Sequence, residues 1–121
     1  MTSVYKKIKA SVKNNHKLFA VLIDPEKIRF NDISGFIKKV NTSIATHIFV
    51  GGSTVEEKST EKIVLEIKNN TKLPVVLFPG SINQIVDNAD ALLFLSLISG
   101  RNPEYLIGKH VESVAELRKT N

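Results

Sequence analysis

Short continuous apolar runs alternate along this chain with stretches in which apolar residues recur every three or four positions, a pattern that predicts strands and helices in turn. Val4, Ile8 and Val12 fall at i, i+4 and i+8 and predict an amphipathic helix from Val4 to Lys13, laid across the end of a sheet and stopped by Asn14-Asn15. Leu18 to Ile23, LFAVLI, is an unbroken apolar run ended by Asp24-Pro25, the signature of a strand buried on both faces. Ile33, Phe36, Ile37 and Val40 then follow the capping candidate Asp32 at helical spacing and complete a first βα unit.

The same sequence of signals recurs three more times. HIFV, His47 to Val50, runs into Gly51-Gly52-Ser53 and a helix expected from about Val55 to Lys68, with Thr54 and Glu57 spaced as a capping box and Ile63, Val64 and Ile67 as its apolar side. Val75 to Phe78 is closed by Pro79-Gly80 and followed by a short helix near Ile82 to Val86. Ala91 to Leu95 leads to Asn102, a cap with Pro103 at the first helical position, and to a stripe of Ile107, Val111, Val114 and Leu117. Four βα units predict an α/β chain with a parallel sheet and right-handed crossovers. Two closures satisfy that pattern: an open doubly wound sheet, or part of a (β/α)8 barrel, which takes ~250 residues. No G-x-G-x-x-G follows the first strand, which argues against a Rossmann dinucleotide site.

The composition narrows the partners. The 121 residues suffice for one modest domain, and a hydrophobic fraction of 42% with 24% charged residues is that of a globular chain. Cysteine is absent, which removes a disulfide framework, a thiolate nucleophile and a cysteine-bound zinc site. The N-terminus carries dispersed lysines and no apolar core of a signal peptide, and no apolar run approaches the ~20 residues of a membrane span, so a cytoplasmic location is expected. The net charge of +5 admits anionic partners. Lys6, Lys7, Lys9, Lys13, Lys38 and Lys39 are scattered as on solvated helix faces, however, without a basic run interleaved with aromatics, and nucleic acid is not expected.

Chemistry-bearing residues fall at the C-terminal strand ends: Asp24, Ser53, Ser81, Ser96 and Arg101. A barrel places its active site there. Each has a plainer role available. Asp24 before Pro25 suits a turn, Ser53 or Thr54 suits a helix N-cap, and the apolar residues Phe78, Phe94, Leu95, Leu97 and Tyr105 suit either a core or a channel for an apolar ligand. His47 and His110 lack any spacing to partners that suggests catalysis and read as structural.

The blocks AVLIDPEK (Ala20 to Lys27), FVGGST (Phe49 to Thr54), LFPGS (Leu77 to Ser81) and ADALLFLSLISGRNPEYLIGKHV (Ala89 to Val111), taken in register, resemble the first half of the geranylgeranylglyceryl phosphate synthase family, which includes heptaprenylglyceryl phosphate synthases. The resemblance implies a TIM-barrel fold, of which the chain supplies four βα units preceded by an N-terminal helix, as one N-terminal half-barrel domain over residues 1–121, truncated relative to the family. It further implies transfer of a prenyl group from prenyl diphosphate to sn-glycerol 1-phosphate with magnesium, giving an ether-lipid precursor. Asp24 and Ser53 would be the protein ligands of the metal; a hard cation that keeps several waters suits one carboxylate, a hydroxyl and substrate oxygens. Gly51 and Gly52 would admit phosphate oxygens close to the backbone, Lys27 and Arg101 would add positive charge at the mouth, and Tyr105 would line the prenyl channel.

The chain departs from the family at two points. Leu22 stands where some members carry a lysine two positions before the aspartate, which leaves Lys27 to supply that charge. The later Tyr-x-Glu motif, with its glutamate base, and the glycine-rich loops that hold sn-glycerol 1-phosphate have no counterpart here. Two further readings stay open at this point: a non-catalytic half-barrel that self-associates to cover its open strand edges and interior, and another phosphate-handling (βα) enzyme. A homo-oligomer is expected, as is transient contact with a membrane for an enzyme with a lipid product, although no amphipathic anchor is evident.

Overall fold

The computed structural model describes residues 3–52 and 57–120. Helix α1 (Val4–Lys13) leads into β1 (Ala20–Ile23), α2 (Ile33–Asn41), β2 (His47–Val50), α3 (Glu57–Asn70), β3 (Val75–Leu77), β4 (Ala91–Leu92) and α4 (Gly108–Leu117). All strand pairs are parallel and the order is β1-β2-β3-β4, without the reversal a doubly wound sheet requires. Ile23, Ile48, Val50, Val75 and Leu77 form one buried cluster with Ile33, Ile37 and Val40 of α2 and Ile63, Val64 and Ile67 of α3. Both helices therefore cover the same sheet face. Sequential parallel strands with helices on one side are the architecture of a TIM-type barrel, here four (βα) units of it.

The local chemistry explains most of the boundaries. α1 is capped by Ser3, whose hydroxyl accepts from Lys6 N at 3.3 Å, and ends in a Schellman motif in which His16 N bonds Ser11 O at 2.8 Å and Asn15 N bonds Val12 O at 3.1 Å. Asn15 takes the left-handed conformation the motif needs, with φ 56. Asp90 anchors the start of β3, accepting Val75 N at 2.8 Å on one carboxylate oxygen and Lys68 Nζ at 2.8 Å on the other.

Several expectations are corrected. β1 is not buried on both faces: Ala20 is exposed and Leu22 is 55% exposed, because these two residues share the face opposite α2 and α3 with Phe49 and Val76. β4 stops at Leu92 rather than Leu95, since Phe78-Pro79 ends β3 and a proline has no N–H to extend the ladder. Asn102 does cap, its side chain accepting from Glu104 N at 3.1 Å, but what it caps is a single 3-10 turn, Pro103–Tyr105; α4 begins only at Gly108. The stripe expected to pack α4 leaves Ile107, Val111 and Val114 exposed, and on α1 Val4 is buried whereas Val12 is 72% exposed. The short helix after β3 is likewise a 3-10 turn, Ile82–Gln84. Asp32 sits at the start of α2 without a side-chain capping bond, and Thr54, the expected cap of α3, lies outside the described residues. No helix among the described residues is long and apolar enough to cross a membrane.

His47, at the start of β2, is buried and its Nδ1 lies 2.9 Å from Thr46 Oγ1. Desolvation by burial, and behind it the positive charge of Lys7 on α1, lower its pKa from the ordinary 6.5. The unfolded chain therefore takes up this proton first as the pH falls. Stability is unaffected by His47 above about pH 6.5 and declines below it, down to the lowered folded-state pKa. Urea unfolding between about pH 7.5 and 5 will show a smaller loss of stability for His47→Gln than for the wild type; equal losses would exclude His47 as the source.

Candidate functional site

Three strand ends converge at the C-terminal edge of the sheet. Gly51 N donates to Ile23 O at 3.1 Å and Phe78 N to Val50 O at 2.8 Å, so β2 is held between its neighbours past its last residue. Here the glycines are needed for space. A Cβ on Gly51 would stand 1.8 Å from the Phe78 carbonyl oxygen, and one on Gly52 would stand 2.8 Å from Asp24 Oδ1. The missing side chains let the β2 loop lie directly against β3 on one side and against the Asp24 carboxylate on the other.

Asp24 follows β1 and its side chain is 23% exposed. Oδ1 accepts from Glu26 N at 3.0 Å, an Asx-type turn that realises the plainer role of an Asp-Pro pair, and Oδ2 faces Lys27 Nζ at 3.5 Å. Lys27 is 83% exposed, so this contact contributes little to stability and leaves the ammonium able to turn toward an anion. Turn formation and ligand binding are compatible uses of one carboxylate, since only one of its oxygens is engaged by the backbone. Ser53, the other expected metal ligand, lies outside the described residues. Among the described residues no three His, Cys, Asp or Glu side chains gather as a metal cage.

Beside this cluster a cavity of about 380 Å³ opens between the ends of β3 and β4 and helix α4. Phe78, Phe94, Leu95, Leu97 and Tyr105 line it, as does His110. The structure thus brings Asp24, Lys27, Gly51 and Gly52 together and sets Tyr105 on the cavity wall, where Leu97 N bonds its carbonyl at 3.1 Å. It does not bring Arg101 in: that residue is exposed and makes no hydrogen bond or ion pair among the described residues. His110 is oriented by Ser96 Oγ, 3.2 Å from Nε2, and by the edge of Phe94, with ring centroids 4.7 Å apart.

One residue of the site escapes sequence reasoning. Gln84 is 1% exposed, and its side-chain amide bonds the Gly52 and Gly80 backbone. The available signal was faint: a lone amide flanked by Ile82 and Ile85 just after Pro79-Gly80, in a segment otherwise read as a short helix.

Comparison with known proteins agrees with this fold. The model of the PcrB family matches residues 10–121. The geranylgeranylglyceryl phosphate synthase of Flavobacterium johnsoniae is 49% identical over 121 residues, covering 100% of this chain and 50% of the relative. That of Zunongwangia profunda is 56% identical over 110 residues, covering 91% of this chain and 46% of the relative. Among solved structures, (S)-3-O-geranylgeranylglyceryl phosphate synthase from Thermoplasma acidophilum in complex with its substrate sn-glycerol-1-phosphate superposes with a TM-score of 0.93 at 28% identity, over 100% of this chain and 49% of the other. Wild-type GGGPS from Thermoplasma volcanium gives 0.90 at 33% identity, over 99% and 48%. The chain spans about half the length of the curated relatives it matches.

Gly51→Ala will destabilise the chain by about 1–3 kcal/mol or more, because the clash is with backbone that cannot rotate away. Gly52→Ala will cost less, since the Asp24 side chain can move. Urea unfolding midpoints check the order; a Gly51→Ala midpoint at the wild-type value would contradict the packing described.

Proposed function

Because the chain belongs to the PcrB family, we propose that it carries the diphosphate side of a prenyltransferase of the geranylgeranylglyceryl phosphate synthase type, acting on prenyl diphosphate with sn-glycerol 1-phosphate as acceptor. The observation that carries this proposal is the contact of Gly52 with the Asp24 carboxylate at the C-terminal strand ends, beside an apolar cavity. A charged head and a long apolar tail call for such a pair of neighbouring environments.

Magnesium fits the donor set: a partly exposed carboxylate whose second oxygen faces the exposed Lys27 ammonium, next to backbone kept bare by two glycines, suits a cation that takes one or two carboxylates and completes its shell with water and substrate oxygens. Asp24 would hold it, with Ser53 as second ligand. When bound, the metal would neutralise charge developing on the diphosphate as the allylic carbon–oxygen bond lengthens. The chain's own residues do the rest. Gly51 and Gly52 keep side chains away from the phosphate oxygens, and Lys27 turns from Asp24 toward the anion. Phe78, Phe94 and Tyr105 take the isoprenoid tail and exclude water from the reacting carbon. In the transfer, that carbon loses its bond to the diphosphate oxygen and gains one to the acceptor's 3-hydroxyl oxygen, whose proton passes to a base. The resemblance assigns that base and the acceptor pocket to the family's later motif.

Calorimetry with geranylgeranyl diphosphate and magnesium tests the proposal. The wild type will bind only with the metal present, and Asp24→Ala will weaken binding at least about tenfold, as will chelation of the metal. Unchanged binding by Asp24→Ala would remove Asp24 from the site.

A further inference from the structure

We propose that Gln84 is the positioning residue of this site, holding the Gly52 peptide against the Asp24 carboxylate; the inference rests on the reading of Asp24 as part of a diphosphate site. Gln84 belongs to the 3-10 turn Ile82–Gln84 and is 1% exposed, yet its side chain does not stabilise its own turn alone. Nε2 donates to Gly52 O at 2.8 Å, while Oε1 accepts from Gly80 N at 3.2 Å and, more weakly, from Gly52 N at 3.4 Å. A single planar amide therefore satisfies both polar groups of one peptide-bearing residue in the β2 loop and one donor in the β3 loop. The orientation of the amide is dictated by its partners, because the reverse would set oxygen against oxygen and N–H against N–H.

The bond pattern selects this residue type. A side chain one methylene shorter falls short of Gly52, a hydrocarbon removes all three bonds to these part-buried backbone groups, and an ionised carboxylate keeps both acceptor bonds but repels Gly52 O. The turn that carries Gln84 is itself packed against α3 and α4, and its neighbours Ile82 and Ile85 line the apolar cavity. Gln84 thus joins the two halves of the site: its neighbours Ile82 and Ile85 line the apolar cavity, and its amide fixes the loop that abuts the carboxylate. Gly52 has no side chain to lock its own position, so past the bond of Gly51 N to Ile23 O the Gln84 amide orients its peptide beside Asp24.

The test uses the whole chain with Gln84→Leu and Gln84→Glu, each studied at a temperature at which circular dichroism shows it folded. Affinity for geranyl diphosphate with magnesium is measured by calorimetry, and the Glu26 amide, which donates to Asp24 Oδ1, is followed by NMR as a reporter of the carboxylate. Gln84→Leu will bind roughly 10- to 100-fold more weakly, Gln84→Glu will fall between it and the wild type, and in both the Glu26 resonance will shift. Folded variants with wild-type affinity and an unmoved Glu26 amide would reduce Gln84 to a structural residue and overturn the proposal. If Gln84→Leu does not fold, Gln84→Glu decides the matter alone. Should the wild type itself fail to bind, the diphosphate reading fails, and the Glu26 amide still decides the positioning role: a shift in Gln84→Glu upholds it, and no shift overturns it.

Discussion

The close approach of backbone at Gly51 and Gly52 is the constraint on which the rest of this structure depends. With no Cβ at either position, the end of β2 lies against the Phe78 carbonyl on one side and the Asp24 carboxylate on the other. That double contact fixes how three successive strands finish relative to one another. Asp24 could be placed by its own turn, but only a neighbour without a side chain leaves its carboxylate beside bare backbone. Gln84 completes the arrangement by spending a buried amide on the same loop.

The two faces of the sheet have different tasks. On one, α2 and α3 bury Ile23, Ile48, Val50, Val75 and Leu77, and this face supplies the rigidity. On the other, Leu22, Phe49 and Phe78 stay partly or largely exposed, with the Phe49 and Phe78 rings 6.2 Å apart. β3 links this face to the chemistry. Its end forms part of the cavity wall through Phe78, Pro79 and Gly80, and the same Phe78 carbonyl abuts Gly51. The polar cluster at Asp24 and the apolar cavity therefore share one wall, which suits the proposed ligand, a molecule with a charged head and an apolar tail.

Much of this was legible in the sequence, for identifiable reasons. The strand–turn–helix order located Asp24 and the Gly51-Gly52 turn because strand ends in a (βα) chain fall on one edge whatever the loops do, and the family resemblance added Lys27. The buried sides of α2 and α3 followed from spacing, since Ile33, Ile37, Ile63, Val64 and Ile67 have sheet residues to pack on. Spacing could not show which stripe finds a partner, and so Val111 and Val114 of α4 and Val12 of α1, equally periodic, lie in the open. Strand length depended on a ladder that Pro79 interrupts. Gln84 was hard to find because its value lies in joining Gly80, four residues away, to Gly52, 32 residues away.

The most direct measurement of the central claim is an NMR titration of the isotopically labelled chain with magnesium and geranylgeranyl diphosphate, set beside one with magnesium and inorganic diphosphate. The account predicts saturable shifts at the amides of Asp24, Gly51, Gly52 and Gly80 with both ligands, and at Leu95, Leu97 and Tyr105 only with the prenylated one. An absence of saturable shifts at Asp24 and Gly52, with either ligand, would contradict it.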